Sequence, residues 1–361
     1  MQKKIIALAI AAAFSAPAFA DVTMYGTVDA AVAHASADGQ KSDTIAVSGG
    51  LSPSRLGANA SEDLGDGLKA IVNIEYGLDA QTSSTIGTAG VGNSANTRQQ
   101  LLGVAGGFGT VATGYLQTTG YDFAMKYDPT AESLVDPLQN VVGQNFLIGS
   151  NAIASRAQRA LAYISPSMSG VTVAVNYSTA LAGVGQLTQA SNANSGKTTA
   201  TLVSVNYDGG PLSLGAVYAA DSTFNGAGEL KDYSLGGSYD FKVVKLLATY
   251  QSSTPTGLSA NKAMSLSAVA PVGPGAIAAS YAKNTMNSIA GVACNSCGAT
   301  SYTLAYLQGL SKTTTAYAAV SRVSQDANTN SFSVINDVLG GGTMTNGGSS
   351  TLLAVGLNKK F

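Results

Sequence analysis

Stretches in which apolar and polar residues alternate recur along the chain, and this period of two limits the folds it can adopt. In residues 22–32, one face carries Val22, Met24, Val28, Ala30 and Val32, and the other carries Thr23, Tyr25, Thr27 and Asp29. Further alternating stretches lie at residues 68–76, 171–177, 233–241, 244–250, 302–306 and 353–361. Successive side chains of a strand point to opposite faces of its sheet, so each stretch predicts a strand with one apolar side.

The connections between these stretches alternate between short and long. Short turns rich in Gly, Asp and Pro lie at residues 62–67, 106–109, 165–170, 208–211, 240–242, 270–274 and 308–312. Longer polar segments lie near residues 36–43, 80–96, 117–155, 179–197, 221–230, 252–260, 284–299 and 323–349. Roughly seven short and eight long connections imply about sixteen strands, and short turns on one side with long loops on the other are typical of outer-membrane barrels. We therefore predict an all-β fold, a 16-stranded antiparallel transmembrane β-barrel.

Composition and the N-terminus agree with an exported membrane barrel. Only 11% of the 361 residues are charged, against about a quarter in a soluble domain, yet no apolar run is as long as a membrane helix. Residues 1–20 have a basic start at Lys3 and Lys4, an apolar core and the small-residue site Ala18-Phe19-Ala20, which is the pattern of a signal peptide. We expect cleavage near Ala20, a barrel over residues 21–361 and location in the outer membrane.

The net charge of the mature chain does not suggest nucleic-acid binding, and its tyrosines suggest membrane interfaces. Loss of Lys3 and Lys4 leaves 17 of the 19 basic residues against 20 acidic ones, whereas nucleic-acid binding usually needs a basic face. Trp is absent, and tyrosines near strand ends are expected to form girdles at the membrane interfaces. These are Tyr76, Tyr177, Tyr207, Tyr218, Tyr239, Tyr250, Tyr281 and Tyr317.

Residues 116–159 are the longest interruption of the strand pattern, and their charges suggest a role in the lumen. Four acids lie in this segment, and two arginines follow: Asp122, Asp128, Glu132, Asp136, Arg156 and Arg159. We expect residues 117–155, the third long loop, to fold inward and narrow the barrel. An Arg that faces lipid at the bilayer midplane costs about 2–4 kcal/mol, so Arg55, inside a weakly polar strand, is also expected to face the lumen.

Few residues offer catalytic or metal-binding chemistry. His34 is the only histidine and lies at a strand end, so a Ser-His hydrolase is not expected. Cys294 and Cys297 form a CNSC motif in a long loop; without further Cys or His ligands, zinc is improbable, and an extracellular disulfide is the expected state. We therefore expect no enzyme activity, no metal and no cofactor.

Five segments resemble the general trimeric porins of Gram-negative bacteria, of the Neisseria, Bordetella and Burkholderia type. The segments are DVTMYGTVDAAV at the mature start, SRLGANASEDLGDGLK at residues 54–69, GGFGTVATGY at 106–115, RAQRALAYISPSMSGVTVAVNY at 156–177, and the terminal AVGLNKKF. The resemblance implies a homotrimer with an inward-folded third loop. Its partners would be outer-membrane lipid and lipopolysaccharide, the barrel-assembly machinery, and small hydrophilic solutes and ions.

The resemblance also implies roles for individual residues. Arg55, Arg98 and Arg156 match the basic wall of the constriction, and Glu75 matches an acidic wall position. The loop acids are the candidates to face this wall; about two of the four are expected at the constriction, and the others on the loop surface or at caps. Phe361 would be the assembly signal. One position departs from the family, which usually has Arg where this chain has Tyr115. The basic wall is therefore weaker than usual, and the loop acids are expected to shift selectivity toward cations.

A general diffusion porin is the expected function, and two alternatives remain open. A secreted β-solenoid adhesin would share the Gly-, Asn- and Thr-rich composition, but it needs a fixed repeat period, and the loops here are unequal. A barrel could also act mainly as a surface adhesin or receptor through its long loops, without a transport role. That second alternative is compatible with a channel.

Overall fold

A computed structural model describes residues 21–82, 97–180, 199–222, 228–334 and 344–361. The strands it contains are β1 Asp21–Ala37, β2 Asp43–Ser48, β3 Arg55–Gly65, β4 Leu68–Gly77, β5 Thr97–Gly106, β6 Gly109–Gln117, β7 Arg156–Ile164, β8 Val171–Ala180, β9 Ala200–Gly209, β10 Leu212–Asp221, β11 Leu230–Asp240, β12 Lys245–Pro255, β13 Asn261–Val272, β14 Gly275–Thr285, β15 Ser288–Ile289, β16 Val292–Ala293, β17 Ala299–Ser311, β18 Thr314–Gln325 and β19 Ser349–Lys360. The expected signal peptide, residues 1–20, lies outside the described residues.

The strands form one closed antiparallel barrel. Strand β1 pairs with β19 from Thr27↔Lys360 to Ala37↔Ser350, which joins the two ends of the sheet. The outer part of β1 pairs with β2 and its beginning pairs with β3, so β2 and β3 are two parts of one wall strand. The 17 paired segments therefore make a 16-stranded wall, and β15 and β16 form a separate hairpin. The predicted fold class is confirmed, and a solenoid is excluded.

Alternation along each strand separates a lipid face from a lumenal face. On β1 the apolar side chains of Val22, Met24 and Val32 are 64%, 67% and 56% exposed on the outside. The intervening Thr27 and Asp29 are buried on the inside. A charged or polar group is costly against hydrocarbon, whereas the lumen can hydrate it, so the sequence pattern determines which side of each strand faces inward.

The third long loop contains the helical elements of the described chain. They are α1 Thr119–Tyr127, α2 Pro137–Val142 and a 3₁₀ turn, Gly143–Asn145. The side chain of Thr118 caps α1, and Asp136 caps α2 ahead of its first-turn proline, as is typical of helix starts. None of the described helices is long and apolar enough to span a bilayer.

A buried carboxylate, Asp29, links the strands on either side of the closing seam. Its oxygens accept hydrogen bonds from Tyr317 Oη at 2.6 Å and Asn358 Nδ2 at 2.7 Å. The backbone N–H of Leu51, in the break between β2 and β3, also points at this carboxylate, at 3.3 and 3.4 Å. Asp29 therefore joins β1, β18, β19 and the interrupted strand.

Seven of the eight expected girdle tyrosines lie on outward-facing strand positions, and Tyr317 does not. Its ring is 4% exposed and points into the lumen, where its hydroxyl binds Asp29. The expectation for Tyr317 was wrong because proximity to a strand end does not determine which face a residue occupies. Its neighbours Ala316 and Ala318 take the outward positions instead.

Replacing Asp29 with Ala is expected to destabilise the barrel. The change leaves the buried donors of Tyr317, Asn358 and Leu51 without an acceptor, and an unsatisfied buried donor costs about 1–3 kcal/mol. The urea midpoint of the refolded barrel should therefore fall. Asp21→Ala removes an exposed carboxylate from the same strand and is the control; equal midpoints for the two variants would contradict the role given to Asp29.

Candidate functional site

Two arginines lie around an acid on the lumenal wall. Arg55 begins β3, Arg98 lies at the start of β5, and Glu75 is on β4 between them. Arg98 Nε is 2.6 Å from one oxygen of Glu75, and Arg55 Nε is 3.7 Å from the other. Tyr25, from the lumenal face of β1, donates a hydrogen bond to the same carboxylate at 2.9 Å.

The third loop brings a second acid, Glu132, to the same wall. Arg98 Nη2 donates to both oxygens of Glu132, at 3.0 and 3.1 Å, and Arg156 Nη2 lies 3.2 Å away. Arg156 also donates through Nε to the Arg98 carbonyl at 3.1 Å, and its guanidinium lies 4.8 Å from the centre of the Tyr121 ring. We call Arg55, Glu75, Arg98, Glu132 and Arg156 the charge cluster.

Glu132 is held in its ionised form within this cluster. Burial disfavours its charge, but the guanidinium groups of Arg98 and Arg156 outweigh that effect and lower its pKa. Its backbone is left-handed, with φ of 64°, a conformation that costs a non-glycine residue about 1–3 kcal/mol. The two arginines and the anchors of the loop stabilise this conformation.

One side of the third loop rests on lumenal glycines. Helix α1 packs Tyr127 and Phe123 against β10 and β11, where Gly215 and Gly236 face inward. A Cβ atom at Gly215 or Gly236 would lie 2.7 or 2.6 Å from the Tyr127 ring. The absence of side chains at these two positions lets the helix lie directly on the wall.

The second half of the loop is anchored to strands farther along the same part of the wall. Asn284 of β14 donates to the Val141 carbonyl, and Thr303 of β17 donates to the Val135 carbonyl at 2.7 Å. Ser253 of β12 donates to the Asn145 carbonyl at 2.9 Å. The loop is thus fixed to several strands of the wall, with Glu132 between its two helices in the sequence.

Two of the four loop acids do not line the lumen. Asp128 and Asp136 are 4% and 3% exposed: Asp128 accepts from Thr130 in a tight turn, while Asp136 caps α2 and accepts from Ser150 at 2.7 Å. All four acids were candidates for the constriction, and about two of them were expected to face it. Asp128 and Asp136 do not, because their oxygens satisfy buried donors of the loop itself. Of the other two, Glu132 lies in the charge cluster.

Asp122 is exposed to the lumen from the first turn of α1. The surrounding protein raises the pKa of its carboxyl to about 6, an effect that the nearby Arg156 opposes. Because the side chain itself is exposed, water solvates the charge, and we treat it as ionised at neutral pH.

The remaining residues singled out in the sequence lie outside the charge cluster. Arg159 is exposed at a left-handed position, with φ of 48°, and Tyr115 supplies a buried hydroxyl without a protein hydrogen bond among the described residues. Phe361 exchanges two backbone hydrogen bonds of 3.1 Å with Gly26. Cys294 and Cys297 lie next to each other, with Cα atoms 6.2 Å apart. The disulfide between them and the role of Phe361 as the assembly signal stay predictions.

Sequence reasoning missed Tyr121, whose ring lies beneath Arg156, and did not assign Tyr25 a role. Tyr25 could have been found, because its odd position on β1 puts it on the same face as Asp29. Tyr121 could not, since its placement depends on how α1 folds back into the barrel.

Comparisons with known proteins agree with this geometry. Residues 7–328 match the Gram-negative porin family. Outer membrane porin protein 32 of Delftia acidovorans is 29% identical over the full length of both chains. A solved anion-selective porin from Comamonas acidovorans is 25% identical, with a TM-score of 0.77 over 95% of this chain and 100% of that one. The trimer form of OmpT from Vibrio cholerae, 14% identical, has a TM-score of 0.65 over 95% and 99% of the two chains.

The buried pair Asp128 and Asp136 is expected to make packing of the third loop depend on pH. Burial raises the pKa of both carboxyls, and Asp128 raises that of Asp136 further. Since Asp128 Oδ2 has no donor among the described residues, a proton shared by the pair stabilises the loop. This stabilisation is complete below the ordinary aspartate pKa and is lost as pH rises through the raised pKa of Asp136.

Amide hydrogens of residues 128–136 should therefore exchange faster in mildly alkaline than in mildly acidic buffer, after correction for intrinsic rates. Asp128→Asn supplies a permanent donor to Asp136 and should flatten this dependence. An identical pH profile in both proteins would show that the pair does not share a proton.

Proposed function

This chain belongs to the Gram-negative porin family, and from that premise we propose that the charge cluster is the filter of a passive channel. The chain is an outer-membrane general diffusion porin. The observation that supports the filter is Glu132, which the third loop carries across the lumen to within 3.2 Å of two wall arginines. Residues 117–155 are thus the proposed constriction loop of a barrel over residues 21–361.

The filter would act through charge and size. The third loop narrows the lumen, and charged groups beside a narrow aqueous passage set the potential that a crossing solute meets. Transport runs down a gradient and requires no tight binding, which would slow release. The family and its relatives are channels rather than enzymes, and we propose that this chain likewise catalyses no reaction.

The charges that face water in the passage are nearly balanced. Glu75 and Glu132 have side chains only 7% and 6% exposed, as does Arg98 at 7%, so their charges largely cancel locally. Arg55, with a side chain 23% exposed, and the exposed Asp122 remain to meet permeating ions. We therefore propose weak ion selectivity in place of the cation preference expected from the loop acids.

We further propose that three barrels assemble as a homotrimer. One neighbour with the same fold is described as a trimer form, and each barrel would carry its own constriction loop. The terminal Phe361, exposed at the rim, is the proposed recognition element for the barrel-assembly machinery. Cleavage near Ala20 would precede assembly.

Refolded residues 21–361 should conduct in planar lipid bilayers. Passive passage through open barrels predicts stepwise current increases, in groups of three if the trimer is the inserting unit. A heat-denatured sample is the control. Absence of discrete steps from correctly folded barrels would contradict the channel function.

Glu132→Gln is expected to shift selectivity toward anions. It removes one negative charge beside the passage, and one unit charge at about 6 Å in water is worth about 0.7 kcal/mol, a factor of about three in permeability ratio. Reversal potentials in a salt gradient measure the shift, and Glu229→Gln, just before β11 and with a side chain 43% exposed, is the matched control. Arg55→Ala with Arg156→Ala should move the potential the other way; unchanged potentials in both would refute the assigned filter.

A further inference from the structure

The two carboxylate oxygens of Glu75 have different partners. Oε1 lies 2.6 Å from Arg98 Nε, and Oε2 accepts a hydrogen bond from the Tyr25 hydroxyl at 2.9 Å. Arg55 Nε is 3.7 Å from Oε2, which is beyond the range of about 2.7–3.2 Å for an N–H···O hydrogen bond. A guanidinium and a carboxylate normally approach to about 2.7–2.9 Å. A neutral phenol therefore occupies the position on Glu75 that an arginine would otherwise take.

The Tyr25 ring reaches Glu75 across the strand that separates them. Tyr25 pairs with Gly57 on β3, and Gly57 pairs in turn with Glu75 on β4. A Cβ atom at Gly57 would lie 2.4 Å from the ring of Tyr25, so the absence of a side chain lets the ring lie on the wall. Asn73 of β4 donates to the Tyr25 hydroxyl at 2.9 Å and to Asn59 at 2.6 Å. The hydroxyl oxygen thus accepts one hydrogen bond, and its proton is directed to Glu75.

Arg55 has hydrogen-bond partners other than Glu75. Its Nη1 donates to Ser52 Oγ at 2.8 Å and to the Pro53 carbonyl at 3.0 Å, both in the break between β2 and β3. Its side chain is 23% exposed, against 7% for Arg98 and 11% for Arg156. The charge cluster has three arginines and two glutamates, so one positive charge is in excess. Arg55 is the arginine that presents this charge to the passage.

We propose that Tyr25 is a positioning residue of the filter: its hydroxyl keeps Arg55 from closing on Glu75 and so leaves the charge of Arg55 accessible to permeating anions. Without the hydroxyl, Oε2 of Glu75 loses its hydrogen-bond donor, and Arg55 is the cation beside it. Closing the 3.7 Å separation would form a charge-assisted hydrogen bond and withdraw the guanidinium from the passage. This role rests on the proposed filter, because it concerns how one charge of that filter is presented.

Tyr25→Phe removes the hydroxyl without changing the net charge, so a change in selectivity has to come from repositioned charges. The reversal potential in a salt gradient should shift toward cations, as for Arg55→Ala, by at most the factor of about three in permeability ratio expected for one unit charge near the passage. Tyr76→Phe is the matched control, because the Tyr76 hydroxyl lies on the outer face of β4 and accepts from Gln100 at 2.7 Å. This control should have the potential of the unchanged protein. Stepwise conductance in the same bilayers shows that each variant has folded.

The double variant Tyr25→Phe, Arg55→Ala tests whether Tyr25 acts through Arg55. Substitutions that act through one contact are not additive, so the double variant should have the potential of Arg55→Ala alone. A further shift in the double variant, a shift of Tyr25→Phe toward anions, or equal potentials for Tyr25→Phe and Tyr76→Phe would overturn the positioning role and leave the filter standing. Equal potentials for Arg55→Ala and the unchanged protein would instead refute the placement of Arg55 in the filter, and the positioning role with it.

Discussion

A strand inside a bilayer has no water to satisfy its backbone, so every N–H and C=O must find a partner within the sheet. The wall meets this requirement by closing β1 on β19, but β2 and β3 leave a break at residues 49–54. Side-chain and loop groups fill it: Gly49 donates to the Asp29 carbonyl at 3.0 Å, and Leu134 of the third loop donates to the Gly50 carbonyl at 3.0 Å. The point where the sheet is interrupted is therefore also a point where the third loop is attached.

That attachment explains how a loop can position a charge. Leu134 is two residues from Glu132, and both helices of the loop are fixed to distant strands through Asn284, Thr303 and the glycines under Tyr127. Glu132 therefore has little freedom to leave Arg98 and Arg156, although its backbone is strained. Breaking such a buried pair leaves uncompensated charge, so the loop and the wall stabilise one another.

The sequence was sufficient to predict the barrel but not to predict which side chains are buried inside the third loop. The period of two predicts which face of each strand meets lipid, because every strand of a membrane barrel places apolar side chains outward and polar ones inward. The number of turns predicted sixteen strands. Arg55, Arg98 and Arg156 could be placed by family resemblance. Asp128 and Asp136 could not be placed, since burial in an irregular loop depends on which donors the fold brings near. Tyr317 was misplaced for a similar reason: only register shows that it faces Asp29.

The charges of the cluster also explain why Tyr115 suits this chain at a position where the resemblance to the porins implies Arg. The charge cluster already has three arginines against two glutamates. A fourth cation beside Arg98 and Arg156 would be partly buried without an acid to pair with, and desolvating an unpaired charge costs several kcal/mol. A phenol occupies the space without adding charge. With Tyr115 at this position the wall keeps three arginines to two glutamates, which is compatible with the weak selectivity that we propose.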